Sequence, residues 1–179
     1  DITYRFLEKH PDAQIAIIAN GPYQQPFWDI QNFHDIHTRL GVHNFDARLS
    51  ALGFAASDFT LMPSLFEPCG LPQMQAPIYG SLAIAHNTGG LHDTVEMLDA
   101  AASTGNGFIF DTYDSGGLFW AMDQAMDFFH QGAELRAREI SRIMTESRRR
   151  FNHEACAKEY IKLYEQMLDR PLVKKDASE

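Results

Sequence analysis

Two apolar runs, Phe59–Met62 and Leu82–His86, each open into a turn rich in glycine or proline, and this pairing constrains the fold more than any other feature of the chain. Runs of four or five apolar residues bounded by turn formers read as buried strands rather than helices. The first leads through Pro63-Ser64-Leu65-Phe66 to a lone carboxylate at Glu67, then through Pro68-Cys69-Gly70-Leu71 into a helix predicted over 71–79. The second leads into Thr88-Gly89-Gly90-Leu91, with a helix predicted over 93–101. Strands that deliver polar and glycine-rich loops to helix starts are the pattern of an open α/β sheet, whose ligands collect beyond the carboxyl ends of the strands.

The rest of the chain fits that frame. Residues 3–9 predict a helix that stops near His10-Pro11, because the residue before proline is pushed out of α geometry. The run at 14–19 predicts a buried strand, punctuated by Asn20-Gly21-Pro22. Residues 23–40 combine loop with partial helix, and 42–45 predict a short strand. Asp46 caps a helix over 46–56, in which Gly53 is a weak point. Pro72 is tolerated in a first helical turn, whereas Pro77 shortens or kinks the end of its helix. A strand at 108–110 and a turn at Asp114-Ser115-Gly116-Gly117 lead to helices over 118–129 and 133–147. Asn152 caps a last helix over 153–168, where Ala157, Tyr160, Ile161, Tyr164, Met167 and Leu168 repeat at the spacing of a packed face. The tail from Pro171 is polar.

Composition narrows the function classes. The 179 residues are 45% hydrophobic and 22% charged, as in ordinary globular proteins, and suffice for one medium domain. A formal net charge of −9 argues against a broad nucleic-acid-binding face. No apolar run approaches the length of a membrane span, and two cysteines make neither a disulfide scaffold nor a metal cluster. His34 and His37 are spaced to share a helix face but lack a companion cluster, so they read as structural rather than metal-binding. Arg148-Arg149-Arg150 suits a helix C-terminus. The start at Asp1 reads as an excised fragment or a processed chain.

Residues 57–95 resemble the C-terminal domain of bacterial glycogen synthases and plant starch synthases. The matches are Ser57-Asp58, Pro63-Ser64, Phe66-Glu67-Pro68-Cys69-Gly70-Leu71, Thr88-Gly89-Gly90-Leu91 and Asp93-Thr94-Val95, with a weaker likeness to about Leu168. The resemblance implies a Rossmann-like parallel sheet flanked by helices, the C-terminal half of a two-domain GT-B glycosyltransferase. It also implies transfer of glucose from ADP-glucose to an α-1,4-glucan with retention of configuration, with UDP-glucose as a secondary donor. No cofactor or metal is implied. The partners would be the nucleotide sugar and, through an N-terminal domain, the glucan acceptor, in the bacterial cytoplasm or a plant plastid.

By that resemblance Glu67 is the catalytic residue, holding the donor sugar and stabilising positive character during transfer; on the residues alone it could equally cap the nearby helix. Cys69, Gly70 and Leu71 are expected to offer backbone N–H groups rather than side-chain chemistry, and Thr88, Gly89 and Gly90 to lie near donor sugar and diphosphate. On residues alone the two glycines could simply join strand to helix. Asp93 reads as a helix-start residue.

Departures from the family pattern are also visible. Gln75 stands where many retaining transferases carry a ribose-binding glutamate, His86 where arginine is common, and His153 where tryptophan is common. The phosphate-binding arginine and lysine and the lysine–threonine–glycine–glycine motif of the acceptor domain have no counterpart. The expected organisation is therefore a donor domain over 1–170, lacking its first strand and phosphate loop, followed by a tail at 171–179. Such a piece is expected not to transfer glucose alone. Another retaining GT-B enzyme using a different nucleotide sugar, or a noncatalytic nucleotide-sugar domain, stays open as an alternative.

Overall fold

The computed structural model describes residues 2–172. Its strands are all parallel. β1 (Ile15–Ile18) pairs with β2 (Leu40–His43), and β4 (Leu82–His86) lies between β3 (Phe59–Met62) and β5 (Gly107–Phe110). The single predicted sheet is thus two hydrogen-bonded pieces among the described residues. They share a core: Ala13 and Ile15 pack both against Leu7, Leu40 and Val42 and against the cluster around Leu82, Ile84 and Phe108.

β4 is the most buried strand, with every residue inside, because helices cover both its faces. On one face Leu82 and Ile84 meet Ala121, Met122, Ala125 and Met126 of α6 (Ser115–Phe129). On the other, Ala83 and Ala85 meet Leu91 of α5 (Gly89–Thr94) and Val95. Burying a leucine such as Leu82 or Leu91 fully is worth about 1.5–3 kcal/mol, and both are at 0% exposure. The small alanines at 83 and 85 let α5 lie close to the sheet, which sets where its first residues reach.

Local chemistry fixes most of the ends. α1 (Ile2–Lys9) stops before Pro11, and its Lys9 and His10 bond to Asp123 of α6 at 2.6 and 2.7 Å. Burial alone would raise the Asp123 carboxyl, but those two hydrogen bonds outweigh it and hold it below the ordinary aspartate value. Asp46 caps α3 (Ala47–Ala56) by accepting from Leu49 N at 2.7 Å. α4 (Pro72–Gln75) passes into a 3-10 turn over Ala76–Tyr79, as Pro77 requires by lacking an N–H. α7 (Ala133–Arg150) packs on that turn, with Arg148 and Arg150 donating to the carbonyls of Ile78 and Asp93, a structural use of the basic run.

Several expectations are corrected. The helix expected over 93–101 is absent: α5 begins at Gly89 and ends at Thr94. Asn106 stops it from a distance, donating from Nδ2 to Thr94 O and accepting from Glu96 N, after which Met97 bridges to Gly107 and Asp99 to Thr104. The turn at 114–117 is instead the first turn of α6, capped by Asp114 through Gly117 N at 2.7 Å. In 23–40 the helical part is α2 (Gln25–Phe33), and the strand expected at 42–45 lies two residues earlier. His37 falls beyond α2, 3.8 Å from Asp35, while His34 stacks on Tyr4 at 3.5 Å between centroids, so the two do not share a helix face.

α8 (His153–Leu168) forms and is capped by Asn152 as the sequence predicts, but no residue on it is buried. Tyr160, Tyr164, Met167 and Leu168 are 57%, 49%, 73% and 52% exposed, so the apolar stripe is not a packed face among the described residues. The polar tail at 173–179 lies outside the described residues.

Candidate active site

The two loops singled out by sequence emerge side by side, because β3 and β4 are adjacent, parallel and in register, with Met62 opposite Ala85. They touch. Gly90 N donates to Glu67 O at 2.8 Å, joining the loop after β3 to the start of α5. A Cβ on Gly89 would lie 2.1 Å from Glu67 O, and one on Gly90 2.2 Å from Cys69 O, so both positions require glycine on steric grounds. Gly89 also has φ +47°, a conformation that side chains disfavour. The glycines therefore do more than join strand to helix: they let one loop lie on the other.

The carboxylate of Glu67 is half-buried and has no hydrogen-bond or ion-pair partner among the described residues. This removes the helix-capping alternative, since a capping carboxylate would accept from an N–H of α4. The carboxylate is therefore open to a polyol ligand, to which a charged acceptor makes short, strong hydrogen bonds.

The same two loops carry backbone donors. The amides of Cys69, Gly70, Leu71 and Gly89 meet no acceptor among the described residues. The amide of Gly90, by contrast, is bonded to Glu67 O and fixes the geometry of the two loops. Thr88 holds an extended conformation ahead of α5, and its side chain makes no capping bond, leaving the hydroxyl available. Cys69 is exposed, and its thiol makes one long contact, 3.5 Å to Gly70 O.

Residues outside the predicted contact set hold the site in shape. His86, buried at the end of β4, donates from Nδ1 to Ser64 O at 2.8 Å and packs against Tyr113 and Phe110. Where an arginine was expected, the histidine thus anchors the loop that carries Glu67. Asn87 Nδ2 reaches Asp111 Oδ1 at 2.6 Å and ties the next turn to the end of β5. Gln73, fully buried, bonds beneath the Cys69–Gly70 turn. Gln75 is exposed on α4. Among the described residues no cluster of histidine, cysteine and carboxylate groups could hold a metal ion.

A parallel α/β domain with a free carboxylate and unpaired amides at its strand ends is a Rossmann-like fold that offers a ligand site beyond its strands. The chain belongs to the family described as glycosyl transferases group 1, which matches residues 4–140. It is 38% identical to the glycogen synthase of Thermosipho melanesiensis over 161 residues, covering 89% of this chain and 33% of that protein. With the glycogen synthase of Clostridioides difficile it shares 36% identity over 161 residues, 88% of this chain and 32% of that one. The chain thus spans about a third of the length of the curated relatives it matches. Among solved structures it is similar to the catalytic domain of starch synthase IV from Arabidopsis thaliana, bound to ADP and acarbose. That match has a TM-score of 0.76 and 29% identity, covering 94% of this chain and 36% of that one. Sucrose-phosphate synthase from Thermosynechococcus elongatus, at 22% identity and a TM-score of 0.66, shares the fold.

Proposed function

We propose that residues 1–170 form the donor-binding domain of a retaining glucosyltransferase that extends an α-1,4-glucan from ADP-glucose. One observation carries the reading: two loops joined by the Gly90–Glu67 hydrogen bond carry together a Glu67 carboxylate and the amides of Cys69, Gly70, Leu71 and Gly89, all without partners among the described residues. In this role Glu67 accepts hydrogen bonds from the donor glucose and faces the positive charge that develops at its anomeric carbon. The amides, with the Thr88 hydroxyl, take the sugar and diphosphate oxygens. Preorganised donors of this kind stabilise charge that grows in the transition state without further reorganisation.

Two similarities support the choice of donor and acceptor. The similar starch synthase was solved bound to ADP and acarbose, and the similar curated proteins are glycogen synthases. The exposed stripe of α8 is the surface on which a glucan-binding N-terminal companion domain would rest. No described helix is long and apolar enough to cross a membrane. The site of action, bacterial cytoplasm or plastid, follows from the host.

The test is a donor-panel transfer assay on the full-length protein with Glu67→Ala and Glu67→Gln. Glucan extension from ADP-glucose is expected in the wild type, with a loss of about a hundredfold or more in both variants, the scale of removing a preorganised electrostatic group. Absence of extension with every nucleotide-glucose would overturn the reaction, and full transfer by both variants would overturn the role of Glu67.

A further inference from the structure

Gln73 is an odd residue to bury. Its side chain is at 0% exposure, yet its Oε1 has no hydrogen-bond partner. A leucine or methionine there would avoid leaving a carbonyl unsatisfied, which is costly in the interior. What the glutamine supplies is its Nε2. This nitrogen donates to Cys69 O at 2.8 Å and Gly70 O at 3.2 Å, and lies 3.3 Å from Thr94 Oγ1. Thr94 in turn donates to Gly90 O, and Gly90 N donates to Glu67 O. The bonds form a closed ring: Gln73, the Cys69–Gly70 turn, Glu67, Gly90, Thr94 and back to Gln73.

The ring has a directional consequence. In a trans peptide the carbonyl and the N–H that follows it point in opposite directions across one rigid plane. Drawing Cys69 O and Gly70 O inward to Gln73 therefore turns the N–H groups of Gly70 and Leu71 outward, and these are two of the unpaired donors beside Glu67. Gly70 has φ +74°, and a Cβ there would lie 2.4 Å from Gln73 Oε1, so the turn is pressed directly onto the glutamine.

We propose that Gln73 is the positioning residue of the donor site: by gripping two carbonyls from below it aims the Gly70 and Leu71 amides at the bound nucleotide sugar, and through Thr94 it locks the two loops in register. The inference rests on the donor-site reading for its functional half. The locking itself is a property of the fold and is tested separately.

The experiment uses the full-length protein with Gln73→Met, which fills the space without a donor, and Gln73→Glu, which can donate only when protonated. Two quantities are read from pH 6 to pH 8: kcat/KM with ADP-glucose, and amide hydrogen exchange across residues 88–92 relative to wild type at the same pH. At pH 8 both variants are expected to lose about 10- to 100-fold in kcat/KM, the effect of one or two hydrogen bonds. Exchange at 88–92 should also quicken in both. An uncompensated buried carboxyl has a raised pKa, so Gln73→Glu should recover toward wild type at pH 6 while Gln73→Met does not. A merely structural loss would leave the two variants with the same pH response, and that result would overturn the proposal, as would unchanged exchange at 88–92 in both. If neither variant folds, Thr94→Val opens the ring at the part-buried Thr94 hydroxyl, and unaltered exchange at 88–92 there overturns the locking. Should the wild type transfer glucose from no donor, the reaction assignment fails, and the exchange measurements still decide the role of Gln73.

Discussion

Gly90→Ala isolates the contact between the two site loops. A Cβ at residue 90 would stand 2.2 Å from Cys69 O, 2.6 Å from Cys69 Cα and 2.7 Å from Cys69 C, all backbone atoms that cannot swing aside. Ordinary carbon-to-oxygen contact begins near 3.3 Å, so the loops must separate by about 1 Å. Overpacking of this kind costs about 1–3 kcal/mol of stability. Against a typical stability of roughly 5–15 kcal/mol, most or nearly all of the protein stays folded. The geometric effect is larger: a displacement of about 1 Å at a reacting site costs on the order of a hundredfold in rate. In the full-length protein, Gly90→Ala should therefore lose about a hundredfold in kcat/KM with only a modest fall in unfolding midpoint. Gly132→Ala is the control, because a Cβ at Gly132 meets nothing within 4 Å. Activity for Gly90→Ala within about threefold of wild type would refute the argument that these loops act as one rigid unit.

Two further outcomes concern stability. Glu139, at 0% exposure, would have its carboxyl raised by burial, but hydrogen bonds from Ser103, Arg142 and Arg138 outweigh this and hold it below its ordinary value of 4.5. Its contribution is therefore present above that value and lost as pH falls through the depressed one; the melting difference between wild type and Glu139→Gln should shrink below about pH 4.5, and a constant difference from pH 7 to pH 3 would contradict this. Gly53→Ala, inside α3, should stabilise by up to about 0.5–1 kcal/mol; its new methyl meets only the flexible end of Ile18 at 3.2 Å, so a measured destabilisation in denaturant melts would show that Ile18 cannot yield.

Strands and caps were legible because their causes are local. QIAIIA, FTLM and LAIAH announce themselves as short apolar runs, and β3 and β4 begin and end where the sequence puts them. Asp46 and Asn152 cap their helices because a side-chain oxygen reaches an N–H three residues on. Two of the failures have a different cause, partners distant in sequence or outside the described residues. α5 stops at Thr94 because Asn106 bonds it there, and nothing in Asp93-Thr94-Val95-Glu96 discloses that. The stripe on α8 states that a face is to be covered, but periodicity cannot say by what, and nothing among the described residues buries it.

The same division runs through the site and explains why Gln73 was not seen beforehand. Glu67 and the glycines lie in loops whose composition advertises them, whereas Gln73 and Gln75 stand two apart on one short helix, chemically identical and equally polar. Only the folded chain separates them: Gln75 faces solvent, while Gln73 turns under the Cys69–Gly70 carbonyls. A buried glutamine with one orphaned atom is a stability cost that an apolar residue of similar size would avoid. The cost becomes intelligible once the carbonyls it grips are followed through their peptide planes to the amides on the far side. The polarity of the interior here is a means of orienting the surface: the carbonyls held by Gln73 fix which way the Gly70 and Leu71 amides face.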